Sequence, residues 1–169
     1  VASRDGDRAV ALSLQLTRAH QELRRQIREI RTSLGKRRLS DDGLLTHCLA
    51  FCAALTSHHQ GEDDGMFTQL LRERPDLAPT IANLVEDHGM MSSILSQVSE
   101  LAHRAAESDT RALEEIAGEL DGLTAIMESH FGYEERTIGE ALNAATAATS
   151  WSDQVFRFGA PSPTTPAHS

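Results

Sequence analysis

Four histidines, His20, His58, His88 and His130, each interrupt an apolar series of helical spacing, and two are followed four residues later by a glutamate, Glu62 and Glu134. Residues four apart share one face of a helix, so each His-x-x-x-Glu pair points both side chains the same way. A lone histidine on an apolar stripe is usually a core residue with its hydrogen bonds satisfied. A buried glutamate is rarer and needs a partner. No lysine or arginine falls among these six positions, so hydrogen bonding alone leaves four imidazoles and two carboxylates poorly compensated. A metal compensates carboxylate charge and imidazole lone pairs together, and is the economical chemistry for the set.

The elements that must position them read as four amphipathic helices. Leu12, Leu16, Ala19, Leu23, Ile27, Ile30 and Leu34 step by threes and fours, with His20 between Leu16 and Leu23. Leu39-Ser40-Asp41-Asp42-Gly43 then breaks the chain and offers capping side chains. Leu44, Cys48, Phe51 and Leu55 start a second stripe that passes His58 and Glu62 and continues through Met66 and Leu70. Pro75, Asp76 and Pro79 end it and open the third, in which Ile81, Leu84, Met91, Leu95, Val98 and Ala102 surround His88. Ser108-Asp109-Thr110 breaks and caps again, before Leu113, Ile116, Leu120, Leu123, Met127, Ile138 and Leu142 carry His130 and Glu134. No stretch alternates with period two. The expectation is an all-α, antiparallel up-down-up-down four-helix bundle over residues 1–148, with a C-terminal extension over 149–169. Three prolines with Ser and Thr in Gly159–Ser169 predict partial disorder there, and Trp151, Val155 and Phe158 predict a short lid docked on the body.

In an up-down bundle, residues equidistant from a turn lie at one height. The midpoint of His20 and His58 is residue 39, that of the His58–Glu62 pair and His88 is 74, and that of His88 and the His130–Glu134 pair is 110. Each falls in a turn identified independently, so the six groups converge on one layer. A mononuclear zinc site would use three or four ligands. Two carboxylates able to span two ions, with histidines at terminal positions, suit a dinuclear centre. The Glu-x-x-His pattern of ferritin-like di-iron bundles occurs once, Glu100 to His103, three to four turns from His88, and is disfavoured.

His20, then His58-His59-Gln60-Gly61-Glu62-Asp63, then Glu86-Asp87-His88, then His130-x-x-x-Glu134-Glu135, resembles the hemerythrin-like (HHE cation-binding) family over roughly residues 8 to 145. The resemblance implies a non-haem di-iron centre, two iron ions joined by an oxo or hydroxo bridge and by two carboxylates. It implies His20, His58, His88 and His130 as terminal ligands, with Glu62 and Glu134 as bridges. The oxygen carriers of that family have two histidines four apart on the third helix, whereas the positions four either side of His88 are Leu84 and Ser92. The carriers also have Asp five after the histidine of the fourth helix, where Glu135 stands here, so Glu134 or Glu135 is the bridge; the stripe favours Glu134. The sequence therefore offers at least one protein ligand fewer than the carriers.

Around the six, His59 points about 100° from His58 and is either a neighbour of the site or a surface residue. Asp63, Asp87 and Glu135 adjoin ligands and are either acceptors for imidazole N–H groups or solvated charges. Tyr133, one turn from His130, is either a donor to bound oxygen or packing at the core edge. His47 and His103 read as ordinary histidines, Met66, Met90, Met91 and Met127 as core filler, and Cys48 and Cys52 as reduced core residues.

Open metal positions favour inner-sphere chemistry. The leading functional expectation is hydrogen peroxide disproportionation, a catalase-like oxidoreductase activity protecting against oxidative stress. Reversible O2 or NO binding, as carrier or sensor, and iron handling under nitrosative stress are the alternatives. Imidazole and carboxylate also suit manganese. The 169 residues make one domain. Sixteen Lys and Arg against 25 Asp and Glu give a net charge of −9, which repels phosphate backbones, and 4% aromatics leave no stacking platform for bases. The longest clean apolar run, Cys48 to Leu55, is too short to span a bilayer, and Val1-Ala-Ser-Arg-Asp-Gly-Asp lacks the apolar core of a signal peptide. A cytoplasmic monomer acting on small molecules, without nucleic-acid or membrane partners, is expected.

Overall fold

The computed structural model of the protein describes residues 3–35, 42–107, 110–145 and 151–157, and no strand occurs among them. The first stripe lies on α1 (Ser3–Gly35), which buries Leu12, Leu16, Leu23, Ile27 and Ile30. The second stripe is not one uniform helix. α2 (Asp42–Gly61) passes into a π-helical turn, Glu62–Met66, where the Phe67 N–H reaches back to the Glu62 carbonyl, and the rod continues as α3 (Phe67–Glu73). A π turn inserts one residue and rotates the helix beyond it, so Phe67 joins Met66 and Leu70 in the core. A short 3-10 turn, Pro75–Leu77, leads into α4 (Ala78–Ala106), whose first turn accommodates Pro79 because that position needs no intrahelical N–H. α5 (Thr110–Asn143) and the short α6 (Ser152–Phe156) complete the described chain.

α5 packs against α1 and α4, and α2 packs against the same two helices. α1 and α5 run in opposite directions. The Ser13 N–H donates to Asn143 Oδ1 at 3.3 Å, Arg24 Nε to Glu128 at 3.0 Å and Arg31 Nε to Asp121 at 2.9 Å, one residue number rising as the other falls. α4 and α5 are likewise opposed, with Arg104 on Glu115 near their connection and Asp87 on His130 farther along. α6 lies back across α1, α2 and the π turn.

The core divides into two apolar clusters with the polar residues between them. Leu23, Leu55, Met91, Met127 and Phe131 belong to one, and Leu16, Met66, Leu84 and Ile138 to the other. His20, His58, His88 and His130 each separate a member of one cluster from a member of the other along their own helix, as the stripes require. Met90 is a correction: 48% exposed, it is no core filler, while Met66, Met91 and Met127 are buried. Cys48 and Cys52 are buried and free, and His47 and His103 are exposed. Trp151 and Val155 of the expected lid are buried. Phe158, the Gly159–Ser169 tail, the boundary at 148 and the turn residues 39 and 108–109 lie outside the described residues. No described helix is long and apolar enough to cross a membrane.

Candidate metal centre

All six expected ligands converge. Glu62, at the start of the π turn, places Oε1 3.3 Å from His58 Nε2 and 3.4 Å from His88 Nε2. Glu134 places Oε2 3.4 Å from both His20 Nε2 and His130 Nε2. Each glutamate thus spans two histidines from different helices. His20 and His58 meet edge to face with centroids 5.2 Å apart, and the Nε2 atoms of His88 and His130 are 3.1 Å apart. Glu134 is fully buried in the layer, whereas Glu135 is partly exposed and faces His20 Nδ1 at 3.7 Å and Arg24 at 3.8 Å.

His59 enters the same layer. It is only 5% exposed, stacks on His88 at 3.9 Å and 13°, and lies 5.5 Å from His130. One potential ligand atom each from His59, Glu62, His88 and His130 falls within 4.8 Å of the others, and the same holds for His20, His58 and Glu62. The additional imidazole in the layer thus comes from α2, not from the third helix of the sequence. Tyr133 is not part of this arrangement; it packs against the apolar cluster containing Ile138 and Trp151.

The outward nitrogens explain how the rings are aimed. His88 Nδ1 donates to Asp63 Oδ1 at 2.7 Å, His130 Nδ1 to Asp87 Oδ2 at 3.1 Å and His58 Nδ1 to the Val155 carbonyl at 2.6 Å. A neutral imidazole that donates through Nδ1 presents a lone pair at Nε2, so these Nε2 atoms offer lone pairs to the interior of the layer. Asp63 and Asp87 are acceptors rather than solvated charges. Phe131 stacks on His20 at 3.9 Å and 6°, and Phe67 lies 5.7 Å from His88. Neither phenylalanine nor the Val155 carbonyl was marked by the sequence, since an aromatic on an apolar stripe reads as core and a backbone carbonyl has no signature.

The donor set fits a cation. Both oxygens of Glu62 and of Glu134, with Nε2 of His20 and of His59, are buried without a hydrogen-bond partner. Among the described residues no arginine or lysine pairs with either glutamate. Two inward lone pairs 3.1 Å apart, on His88 and His130, repel unless a proton or metal ion lies against them. Separations of 3.3–3.4 Å between carboxylate and imidazole exceed the roughly 2.7–2.9 Å of a charge-assisted hydrogen bond. They match neighbouring donors in a shell whose radius is about 2.1 Å.

Without metal the layer is electrostatically unsettled. Burial, then a charged His20, hold His58 down to about 3, and burial, then His88, hold His59 well below the usual imidazole range. Burial, then Glu134, push the Glu62 carboxyl well above its usual range. Burial would raise Glu134 too, but contacts from Glu62, His130 and His20 outweigh it and hold that carboxyl low. Burial disfavours a charge on His20, yet Glu134 and Glu135 raise it overall.

These directions fix a pH response. Below the ordinary imidazole value near 6.5 the unfolded chain takes protons that folded His58 and His59 refuse, so stability falls as pH falls. Glu62 opposes this with one proton held in the folded state above pH 4.5, and His20, charged in both states below 6.5, adds no slope there. Two imidazoles outweigh one carboxyl. The metal-free protein is expected to lose about 1 kcal/mol and a few degrees of melting temperature between pH 6.5 and pH 5. Scanning calorimetry checks this, and a melting temperature that rises on acidification would contradict it.

The family model for the hemerythrin HHE cation-binding domain matches residues 13–142. No curated protein and no solved structure matches the chain.

Proposed function

The chain belongs to the hemerythrin HHE cation-binding family, and on that premise we propose that its polar layer holds two iron ions and disproportionates hydrogen peroxide, two molecules giving one of oxygen and two of water. The observation that carries the reading is the crossing of two glutamates between two groups of histidines. His20 and His58 make a two-histidine side, and His59, His88 and His130 a three-histidine side. Glu62 joins His58 to His88, and Glu134 joins His20 to His130. A single ion would not call for two carboxylates each reaching both sides. We read the packing as an antiparallel up-down-up-down four-helix bundle in which the π-interrupted rod of α2 and α3 counts as the second helix.

Bound iron supplies the two-electron capacity of the reaction, between diferric and diferrous states. The protein's own groups keep the donors aimed. Asp63, Asp87 and the Val155 carbonyl hold the Nδ1 protons of His88, His130 and His58, with Glu135 facing His20. Phe131 and Phe67, both buried, pack their rings against His20 and His88. His59, His88 and His130 keep 5%, 4% and 1% exposure while His20, His58, Glu62 and Glu134 have 0%, a burial that suits only a substrate of a few atoms. Such burial suits a retained catalyst better than a donor of labile iron. A monomer without nucleic-acid or membrane partners remains the expected form.

One observation favours a second reading. With His59 there are seven protein donors rather than six, which leaves less room for inner-sphere turnover and suits reversible binding of O2 or NO. Oxygen evolution from added hydrogen peroxide, followed with an oxygen electrode on iron-quantified protein beside His130→Ala, separates the two. Many turnovers per chain, lost in the variant together with its iron, are expected. No oxygen from protein holding two irons would end the enzymatic reading and leave gas binding.

A further inference from the structure

We propose that α6 is a working part of the metal centre: its Val155 carbonyl sets the tautomer and angle of His58, so the C-terminal segment determines whether the two-histidine side can hold its ion. The inference rests on the reading of the layer as a two-ion site and goes beyond it in assigning a role to a segment remote in sequence.

Several independent contacts seat α6 against the rod that carries His58, Glu62 and Gln69. His58 Nδ1 donates to the Val155 carbonyl at 2.6 Å, Gln154 Nε2 to the Ser57 carbonyl at 3.2 Å and Trp151 Nε1 to Gln69 Oε1 at 2.9 Å. Two glycines make room for the approach. A Cβ at Gly61 would lie 2.9 Å from Val155 Cγ2, and one at Gly65 would come closer still to Trp151 Cβ. Both approaches are tighter than real Cβ contacts, and the Trp151 atom adjoins its own backbone, so it yields only if α6 moves.

A carbonyl oxygen can only accept, so its contact requires the proton on Nδ1 of His58 and leaves the Nε2 lone pair facing Glu62. Histidines that bind metals take their orientation from such partners, whose removal costs about 10- to 100-fold in affinity. The other rings have carboxylate partners on the bundle helices themselves: Asp63 for His88, Asp87 for His130, Glu135 near His20. His58 alone among these four relies on α6 in this way. Loss of α6 therefore acts on one side of the layer, not on both.

The experiment is anaerobic titration of ferrous iron into metal-free full chain, Gly65→Ala and a chain ending at Ser150, with iron counted per chain after desalting and helicity followed by circular dichroism. The full chain is expected to hold two ions. Both variants are expected to remain helical, to keep one ion, and to bind the second at least about tenfold more weakly. If the truncated chain fails to fold, Gly65→Ala, which adds one methyl, decides. Two ions at parental affinity in a folded variant would overturn the proposal, and so would loss of both ions together, since that is a global effect. A parent chain that never takes a second ion would instead defeat the two-ion reading on which the proposal rests.

Discussion

Glu62→Gln is expected to abolish metal binding while making the metal-free protein more stable. Glu62 reaches His58 on one side and His88 on the other, so on the proposed two-ion reading its loss takes a shared donor from both sides. An amide oxygen is a poor substitute for a bridging carboxylate, and retained metal is expected below about one tenth of the parent's. The metal-free protein gains because Glu62 is 0% exposed, has no hydrogen-bond partner for either oxygen and lies in a site that raises its affinity for protons. At neutral pH folding must either leave that charge buried or take up a proton, and a neutral isostere avoids both, worth about 1–3 kcal/mol. In a chain of this size that is several degrees of melting temperature. A polar layer serving only structure would not give opposite signs. Melting curves and metal analysis on the same preparation check it, and parental metal content in Glu62→Gln would refute the assignment of this residue.

The second large effect belongs to His59. His59→Ala removes a donor from the three-histidine side and also the ring stacked on His88, so stability and metal affinity are both expected to fall. His59→Phe keeps a ring against His88 but has no nitrogen. If His59 is a ligand, the phenylalanine variant holds its folding stability within about 1 kcal/mol of the parent's and loses at least about a hundredfold in affinity for one of the two ions, as removing a donor exceeds the cost of disturbing its partner. If His59 only packs, the phenylalanine variant binds iron like the parent. Competition with a chelator of known affinity reads the difference.

His59 also shows where legibility in the sequence ended. His20, His58, His88 and His130 stood out because each broke an apolar stripe in register, and Glu62 and Glu134 because they followed by one turn. Symmetry about the turns then placed them at one height without coordinates. His59 was ambiguous because a helix packed on one side reads adjacent residues as one buried and one exposed. α2 has neighbours on two sides: His58 faces His20, and His59 faces His88 and His130. The buried arc of such a helix is wider than about 100°, enough for two consecutive residues. The wheel angle was sound, but which neighbours flank α2 is a tertiary fact.

The π turn and the role of α6 were hidden for other reasons. One inserted residue leaves almost no trace in hydrophobic periodicity here, because from Thr56 to Gly65 the chain carries no apolar side chain whose spacing could register it. Gly61 and Gly65 were the only local signal, and glycines four apart within a helix have many causes. Trp151 and Val155 announced a docked segment by spacing, but what docks on His58 is a main-chain oxygen. Asp63, Asp87 and Glu135 adjoin the candidate ligands in sequence, but that the first two accept from imidazoles is a tertiary fact. Tyr133 was the converse case, a plausible donor by position whose ring belongs to the core.

The most direct test of the central claim is anomalous diffraction from crystals of iron-loaded protein, with data collected on either side of the iron absorption edge. Two peaks about 3.5–4 Å apart are expected, one between His20 and His58 and one among His59, His88 and His130, with Glu62 and Glu134 reaching both. A single peak, or iron bound away from these seven side chains, would contradict it.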